Sequence, residues 1–380
     1  MVQTLDPSTG GVAQAVSSLS AALARRGHEL EIVTLDEKDP PWRNQRDLAI
    51  HSLGAGLTSY RFSRTLLPWL RQNGARFDRV IIHGLWQYLG FAAWRCFAGT
   101  AIPYYVFPHG MLDPWFRRTF PLKHLKKWLY WPWADYRVLR DARGVIFTAD
   151  EERIQARKSF WLYRVRERVS ALGIEDLAPD ADDARAEFLR RFPEVRGTHI
   201  LLFLGRIHPK KGCDLLIKAL RGIDAGAGLS LVLAGPDQVG WTAGLQREIA
   251  RLELRIPIVF TGMLEGVLKR GALAAADVFI LPSHQENFGI SVAEALSAGL
   301  PVLISNRVNT WREVQADCAG YVDTDDVEGT TRLIQRWLHA PAKERSLMRS
   351  NARACFLRRF EISGAADSLL QILAESVPER

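Results

Sequence analysis

The sequence predicts an α/β protein with two doubly wound domains, each a parallel sheet between layers of helices. Short apolar runs of strand length alternate with amphipathic stretches along most of the chain, and this alternation is typical of parallel sheets covered on both faces. A polar, acid-rich stretch with two prolines interrupts the alternation at residues 173–198. A chain of 380 residues has room for two such domains.

The first domain is expected over residues 1–172. Val12–Arg26 repeats apolar residues at helical spacing and stops at Gly27, a residue type that ends helices. Four further apolar runs predict strands, at 30–35, 79–83, 104–107 and 144–148.

The second domain is expected over residues 199–350, after a linker at 173–198. Five strands are predicted, each followed by a glycine or a small polar residue before a helix: 199–204, 229–234, 257–262, 277–283 and 301–305. Loops at the carboxyl ends of such strands are where doubly wound sheets bind ligands. Residues 351–380 are predicted to form a C-terminal helix that packs back on the first domain.

Composition restricts the class of protein. Apolar residues make up 47% and charged residues 24% of the chain, the proportions of a soluble globular protein. No apolar run reaches the ~18–20 residues of a membrane span, and no secretory signal is visible at the N-terminus. The four cysteines are too dispersed for a zinc knuckle or a redox pair. We therefore expect a cytoplasmic protein.

The positive charge is concentrated in the first domain. Residues 1–170 hold 25 Lys and Arg against 15 Asp and Glu, within a total net charge of +8. Such asymmetry indicates an anionic partner: nucleic acid, a membrane surface or a phosphorylated substrate.

The basic, tryptophan-rich segment 115–136 suits an anionic membrane surface or a lipid diphosphate. Nucleic acid is not expected, because no RNA-binding or helix-turn-helix signature accompanies the segment. A helix with its tryptophans packed inward and a solvated basic face is the alternative.

Two loops of the second domain carry candidate functional residues. Gly205-Arg206 and Lys211-Gly212 bracket a turn between a strand and a helix, where a guanidinium and an ammonium suit a diphosphate. A solvated basic loop is the alternative.

The second loop contains Glu286, and Glu294 follows on the next helix. Gly289 permits close backbone approach, and the amides that open this helix can receive an anion. Helix capping by Glu286 and an exposed Glu294 are the structural alternatives.

These residues resemble the retaining glycosyltransferases of the GT-B fold, glycosyltransferase family 4. That family carries Gly-Arg, then Lys-Gly, then a Glu-x7-Glu motif, and the counterparts here are Gly205-Arg206, Lys211-Gly212 and Glu286 to Glu294. The match covers residues 200–320 in order and spacing. It implies two Rossmann-like domains facing an inter-domain cleft.

The resemblance also implies roles. Arg206 and Lys211 would bind the nucleotide diphosphate and stabilise its departure, Glu294 would bind the ribose, and Glu286 would lie near the donor sugar. The remaining donor-binding positions in this domain are Gly205, Asn287, Phe288, Gly289 and Ile290.

The first domain resembles the same family through two segments. Thr9-Gly10-Gly11-Val12 matches its glycine loop, so that Gly10 and Gly11 would bind the donor or acceptor, unless they form only a helix-entry turn. Residues 107–115 and 83–86 resemble a subgroup that builds bacterial exopolysaccharide, and His109 would face hydroxyls of the donor sugar. Without the resemblance, the alternative is that His109 makes a purely structural hydrogen bond.

The start of the chain departs from the family. The family begins with a full strand before the glycine loop, whereas Met1–Leu5 is short, which indicates a misassigned start codon or a clipped strand.

The implied enzyme is a metal-independent hexosyltransferase. It would move a sugar from a UDP- or GDP-sugar to a saccharide acceptor, expected to be lipid-diphosphate-linked, with no cofactor. The acidic stretch Asp323-Thr324-Asp325-Asp326 follows the last strand and does not match the Asp-x-Asp position of metal-dependent glycosyltransferases. Two alternatives stay open: a non-catalytic relative that binds nucleotide-sugars, and a dinucleotide-binding oxidoreductase. The latter lacks a Gly-x-Gly-x-x-Gly motif after any strand.

Overall fold

The computed structural model describes residues 1–38, 40, 48–119, 121–177, 181–224 and 228–375. The chain forms two compact units. The first contains Met1–Ile174 and the C-terminal segment from Ile362, and the second contains Glu175–Glu361. Among the described residues, no helix is long and apolar enough to cross a membrane.

The strands of the first unit all pair in parallel. β3, β4, β5 and β6 form a four-stranded sheet, and β1 pairs with β2. Their bounds are β1 Glu31–Thr34, β2 Ala49–Ser52, β3 Val80–His83, β4 Tyr104–Phe107, β5 Gly144–Phe147 and β6 Glu167–Val169. β4 and β5 are buried along their whole length, as expected for parallel strands covered on both faces.

The segment Met1–Leu5 lies between β1 and β3. Val2 N donates to Val33 O, and His83 N donates to Met1 O, at 3.0 and 2.9 Å. The short N-terminal segment therefore connects the two sheets of this unit through backbone hydrogen bonds.

Among the residues that the structure describes, seven α-helices of the first unit precede its last strand. They are α1 Gly11–Ala24, α2 Leu66–Asn73, α3 Tyr88–Phe97, α4 Trp115–Thr119, α5 Pro121–Tyr130, α6 Asp135–Asp141 and α7 Asp150–Ala156. The predicted first helix is confirmed, with Gly27 in the left-handed region beyond its end (φ 84°). The sequence analysis missed β2 and β6, which are short strands.

The described strands of the second unit form a six-stranded parallel sheet. Its strands are β7 His199–Leu204, β8 Leu229–Ala234, β9 Ile258–Gly262, β10 Val278–Leu281, β11 Val302–Ser305 and β12 Gly320–Asp323. They lie in the order β12-β11-β10-β7-β8-β9. The order reverses between β7 and β10, and in open α/β sheets the crevice at this switch point, beyond the carboxyl ends of the strands, is where ligands bind.

The described part of the second unit contains eight α-helices: α8 Ala181–Arg191, α9 Cys213–Leu220, α10 Thr242–Arg251, α11 Gly266–Ala275, α12 Ile290–Ser297, α13 Trp311–Ala316, α14 Val327–His339 and α15 Ala342–Arg359. The last helix, α16 Ile362–Ala374, packs on α1 in the first unit. There Arg26 Nε donates to Asp367 Oδ1 at 2.6 Å.

The unit boundaries differ from the predicted ones at two places. Most of 173–198, predicted as a linker, belongs to the second unit, because α8 packs against α11. Gly271 permits that approach, since a Cβ there would lie 2.1 Å from Ala184 O. The predicted single helix at 351–380 is divided: α15 belongs to the second unit, and only α16 packs in the first.

Candidate active site

The two candidate loops of the second unit contact each other at the switch point. The loop after β7 ends at Gly212, and the loop after β10 starts at Pro282. His284 N and Ser283 Oγ both donate to Lys210 O, at 2.9 and 3.0 Å. Gly212 has φ 71°, and a Cβ there would lie 2.4 Å from Pro282 O. Only glycine fits this approach, so the glycine of the Lys-Gly pair sets the spacing between the loops.

Lys211 and Glu286 form an ion pair, with both side chains mostly buried. Burial, together with the positive charges of Lys210 and Arg206, lowers the pKa of the Lys211 amine to about 7. The Glu286 carboxylate opposes this shift, because it favours the ammonium form. Lys211 is therefore not part of a solvated basic loop. The structural alternative in which Glu286 caps α12 is wrong, because Gly289 is the N-cap of this helix and no side chain makes a capping hydrogen bond there.

Arg206 is the exposed cation of the site. Its Nη1 donates to Gln238 Oε1 at 3.1 Å. The flanking residue Ile207 forms a parallel bridge with Asp237, so the backbone around Arg206 is fixed at the end of β7. The guanidinium remains accessible to an anion.

The helix α12 begins at the same place. Gly289, with φ 71°, is its N-cap, and glycine has no side chain to accept from the first-turn amides. The amides of Ile290 and Ser291 have no acceptor within the helix. The start of α12 therefore offers N–H donors and the positive end of a helix dipole beside Lys211 and Glu286.

Asn287 and Phe288, both predicted donor-binding residues, differ in environment. Asn287 Oδ1 accepts from Asn309 Nδ2 at 3.3 Å. The Phe288 ring is buried and contacts Phe360 edge-on, with ring centroids 5.7 Å apart. The side chain of Phe288 packs in the core, and only its backbone is available to a ligand.

Glu294 is buried, not exposed. Its side chain is 5% exposed, and its carboxylate pairs with Lys269 Nζ at 2.6 Å. The structural alternative of an exposed helical glutamate is therefore wrong. Lys269 on α11 was missed by sequence reasoning, because a single lysine on an amphipathic helix carries no signal of its partner.

In the first unit, Gly10 and Gly11 form the start of α1. Gly10 has φ 105° and is the N-cap of the helix. A Cβ at Gly10 would meet nothing within 4 Å, so backbone conformation and not space requires glycine here. The open surroundings are consistent with both the loop and the helix-entry interpretations.

His109 lies directly beyond β4 and contacts His83 at the end of β3. His83 Nδ1 and His109 Nε2 are 2.9 Å apart, and both rings stack with Phe107. Burial lowers the pKa of His109 to about 4 and the pKa of His83 well below its usual value. Both imidazoles are therefore neutral near pH 7.

Glu152 fixes the turn after His109. Its buried carboxylate accepts from Gly110 N at 2.6 Å and from Thr148 N and Oγ1 at 2.7 Å. Sequence reasoning missed Glu152, since one glutamate in the acidic first turn of α7 is not distinguishable from its neighbours.

The basic segment 115–136 divides into a buried and an exposed part. Trp131 is fully buried, whereas Leu122 is 82% exposed. α5 buries none of its residues, and four apolar side chains of α5 are exposed: Leu122, Leu125, Trp128 and Leu129. Lys127 is directed inward, with Nζ 4.4 Å from the ring centroid of Trp86. The alternative interpretation, with the tryptophans packed inward, therefore holds for Trp131 but not for Trp128.

No group of three or more His, Cys, Asp or Glu side chains in the described ranges has an arrangement that would hold a metal ion. The candidate site instead contains the side chains of Arg206, Lys211 and Lys269.

Two family models cover most of the chain. The model "Glycosyl transferases group 1" matches residues 185–354, and the model "Glycosyl transferase 4-like domain" matches residues 10–173. The first match contains every candidate residue of the second unit, and the second contains Gly10, Gly11 and His109.

Two named relatives align over nearly the full chain. A GDP-mannose-dependent alpha-(1-6)-phosphatidylinositol dimannoside mannosyltransferase of Mycobacterium tuberculosis is 26% identical, over 97% of this chain and 93% of that protein. The D-rhamnosyltransferase WbpZ of Pseudomonas aeruginosa is 27% identical, over 94% and 90%.

Solved structures share the fold. Anabaena HepE in complex with UDP has a TM-score of 0.78 at 17% identity, over 98% of both chains. Sucrose-phosphate synthase of Thermosynechococcus elongatus has a TM-score of 0.72 at 22% identity, over 96% of this chain and 92% of that one.

Proposed function

The chain belongs to glycosyltransferase family 4, with the GT-B fold, and from this premise we propose that it transfers a hexosyl group from a nucleoside-diphosphate sugar to a saccharide acceptor. Retention of the anomeric configuration and a place in bacterial exopolysaccharide or cell-envelope polysaccharide synthesis are parts of the proposal. A non-catalytic relative would bind the sugar nucleotide without turnover, and a dinucleotide-binding oxidoreductase would bind NAD.

One observation carries the proposal: Arg206, Lys211 and the start of α12 gather at the switch point of the second sheet. Breaking the bond between the sugar and the diphosphate leaves additional negative charge on the β-phosphate. A guanidinium, an ammonium and helix-start amides that are already in place stabilise that charge without reorganisation. An incoming diphosphate also raises the pKa of Lys211 and keeps its amine protonated.

The two glutamates have different proposed partners. Glu294 accepts hydrogen bonds from the ribose hydroxyls, and the Lys269 amine pairs with the same carboxylate. Glu286 is proposed to face the donor sugar, and its ion pair with Lys211, the proposed diphosphate ligand, supports this role. Backbone amides from Asn287 to Ile290 bind the sugar hydroxyls and the β-phosphate.

In the first unit, His109 is proposed to bind a hydroxyl of the donor sugar, and Gly10 and Gly11 to permit backbone approach to the donor or acceptor. A neutral imidazole suits this role, because one ring nitrogen donates and the other accepts. The pKa of His109, about 4, supports a neutral ring at physiological pH.

The donor is proposed to be a GDP- or UDP-sugar, used without a metal ion. The Mycobacterium relative is named as GDP-mannose-dependent, and the HepE structure contains UDP. Arg206 and Lys211 supply the positive charge that a divalent cation supplies to a leaving diphosphate elsewhere.

The acceptor is proposed to be lipid-linked and reached at an anionic membrane surface. The exposed apolar side chains of α5 are accompanied by the exposed Lys123 and Lys126. Leucine and tryptophan beside lysine suit the headgroup region of an anionic leaflet, where each basic residue contributes ~1 kcal/mol.

The proposal is tested with a thermal-unfolding panel of UDP, GDP, their sugars and NAD. Ligands that bind the native state raise the unfolding temperature, so we expect one nucleoside diphosphate and its sugars to stabilise the protein and NAD to have no effect. Release of nucleoside diphosphate from the stabilising sugar nucleotide then measures turnover, and NMR of the transferred sugar reports its anomeric configuration. Stabilisation by NAD alone, or an inverted product, would contradict the proposal.

A further inference from the structure

The first unit contains a hydrogen-bonded pair of histidines. His83 is the last residue of β3, and His109 follows β4 by two residues. These neighbouring strands are parallel, so their carboxyl ends lie at the same edge of the sheet. His83 Nδ1 and His109 Nε2 are 2.9 Å apart, and His83 is 7% exposed.

The position of His109 is fixed from several sides. Its backbone lies in the left-handed region, with φ 50°, and Gly110 follows with φ 73°. This conformation is sterically unfavourable for a non-glycine residue, and it persists where the surroundings over-determine it. The Glu152 carboxylate holds Gly110 N, and Phe107 stacks on the His109 ring. His83 adds a polar contact to the ring itself.

We propose that His83 is a positioning residue for glycosyl transfer: it fixes the ring orientation and the tautomer of His109. This rests on the proposed function, in which His109 binds a donor hydroxyl. A neutral imidazole carries one N–H, and the hydrogen bond between the rings uses His109 Nε2. The nitrogen left for a hydroxyl is therefore Nδ1, and the tautomer of His83 decides whether Nδ1 donates or accepts.

Packing alone does not require a histidine at position 83. The ring stacks on Phe107 with centroids 5.1 Å apart and planes 10° apart, and a phenylalanine would stack in the same way. Burying polar ring nitrogens is unfavourable unless they are hydrogen-bonded. His83 Nδ1 is hydrogen-bonded to His109, the residue proposed to touch the substrate. We therefore infer that position 83 carries a polar side chain in order to make this hydrogen bond.

The test compares four variants: His109→Ala, His83→Phe, His83→Asn, and the double variant His83→Phe with His109→Ala. Turnover is measured as release of GDP or UDP from the stabilising sugar nucleotide. Phenylalanine keeps the stacking and removes the hydrogen bond, and we expect kcat to fall about tenfold with little change in KM, the scale of one hydrogen bond. The asparagine amide lies near the position of Nδ1, and we expect it to retain kcat within about threefold.

The double variant separates positioning from a general loss of stability. We expect its turnover to equal that of His109→Ala, because His83 acts only through His109. Losses that multiply, or equal loss in His83→Phe and His83→Asn, would overturn the proposal. Wild-type turnover in His109→Ala would instead contradict the proposed role of His109.

A measurement on the unmodified protein covers the case in which a variant fails to fold. In protein labelled with ¹⁵N-histidine, we expect one fixed tautomer for the His109 ring, with Nε2 in a hydrogen bond. Averaged ¹⁵N shifts typical of two exchanging tautomers would overturn the proposal.

Discussion

The two units of the molecule hold their candidate residues by opposite electrostatic means. In the second unit, mostly buried ion pairs join Lys211 to Glu286 and Lys269 to Glu294. In the first unit, burial keeps His83 and His109 neutral. Charged groups suit the departure of a diphosphate, and neutral donors and acceptors suit the hydroxyls of a sugar. The proposed function uses this difference: it assigns the diphosphate to the second unit and a hydroxyl of the donor sugar to His109 of the first.

The largest expected effect is on the charged side of this comparison. Arg206→Ala and Lys211→Ala should each reduce turnover by ~10²–10³, the scale of one preorganised transition-state contact. Release of nucleoside diphosphate measures the effect, and Arg221→Ala, an exposed arginine of the same unit, is the matched control. Wild-type turnover in both variants would place the diphosphate elsewhere.

A second prediction separates the two glutamates within the charged site. Glu294→Gln should weaken nucleoside-diphosphate binding by ~10–100-fold, because hydrogen bonds to a charged acceptor contribute about 1.5–3 kcal/mol. Glu286→Gln should lower turnover with a smaller change in affinity. Calorimetry with the free nucleoside diphosphate measures both, and equal losses of affinity would remove the assigned division.

A third prediction concerns the exposed face of α5 in the first unit. The protein should sediment with anionic but not neutral vesicles, and ~0.5 M salt should release it, since charges are screened over ~8–10 Å at physiological salt and over less at 0.5 M. Lys123→Glu with Lys126→Glu should weaken sedimentation at least tenfold, at ~1 kcal/mol for each lysine lost.

The control for the membrane prediction is the same charge change in the second unit, Arg247→Glu with Lys343→Glu, which should leave sedimentation unchanged. Lys127 is unsuitable as a test position, because it packs on Trp86. If the unmodified protein ignores anionic vesicles at low salt, the exposed face of α5 is not a membrane surface.

The smallest expected effect tests the neutral histidines through pH. The folded pKa of His109, about 4, lies below its unfolded value near 6.5, and His83 is shifted in the same direction. The unfolded chain therefore binds protons more readily, and the stability present above pH 6.5 is lost as the pH falls toward 4. We expect an unfolding temperature a few degrees lower at pH 5 than at pH 7.5. The variant His83→Phe with His109→Phe should lose part of this dependence, and an unchanged dependence would mean that other groups cause it.

The sequence predicted the second unit better than the first for a physical reason. Residues Gly205 to Gly212 and Glu286 to Glu294 are local motifs that can be recognised in the sequence. Close backbone contacts, such as that of Gly212 with Pro282, require glycine and are therefore visible as a glycine at that position. Contacts between residues distant in sequence cannot be recognised in this way. The pairing of Lys269 with Glu294, the hydrogen bond from Gly110 N to Glu152 and the contact of His83 with His109 are visible only in the folded structure.

The predicted domain boundaries differ from those of the structure where local composition and tertiary packing disagree. α8 is polar and follows an acidic, proline-containing stretch, so it was predicted as part of a linker, yet it packs on α11 through the space left at Gly271. Short strands such as β6 are too brief for periodicity to reveal.

The most direct test of the central claim is calorimetric titration of GDP and of UDP into the unmodified protein and the Arg206→Ala, Lys211→Ala double variant. The account predicts that one of the two nucleotides binds the unmodified protein with a stoichiometry of about one per chain, as a single site at one switch point requires, and that the double variant binds it at least tenfold more weakly. Failure of both nucleotides to bind, or equal affinity in the double variant, would contradict the claim that the switch point of the second unit is the donor diphosphate site.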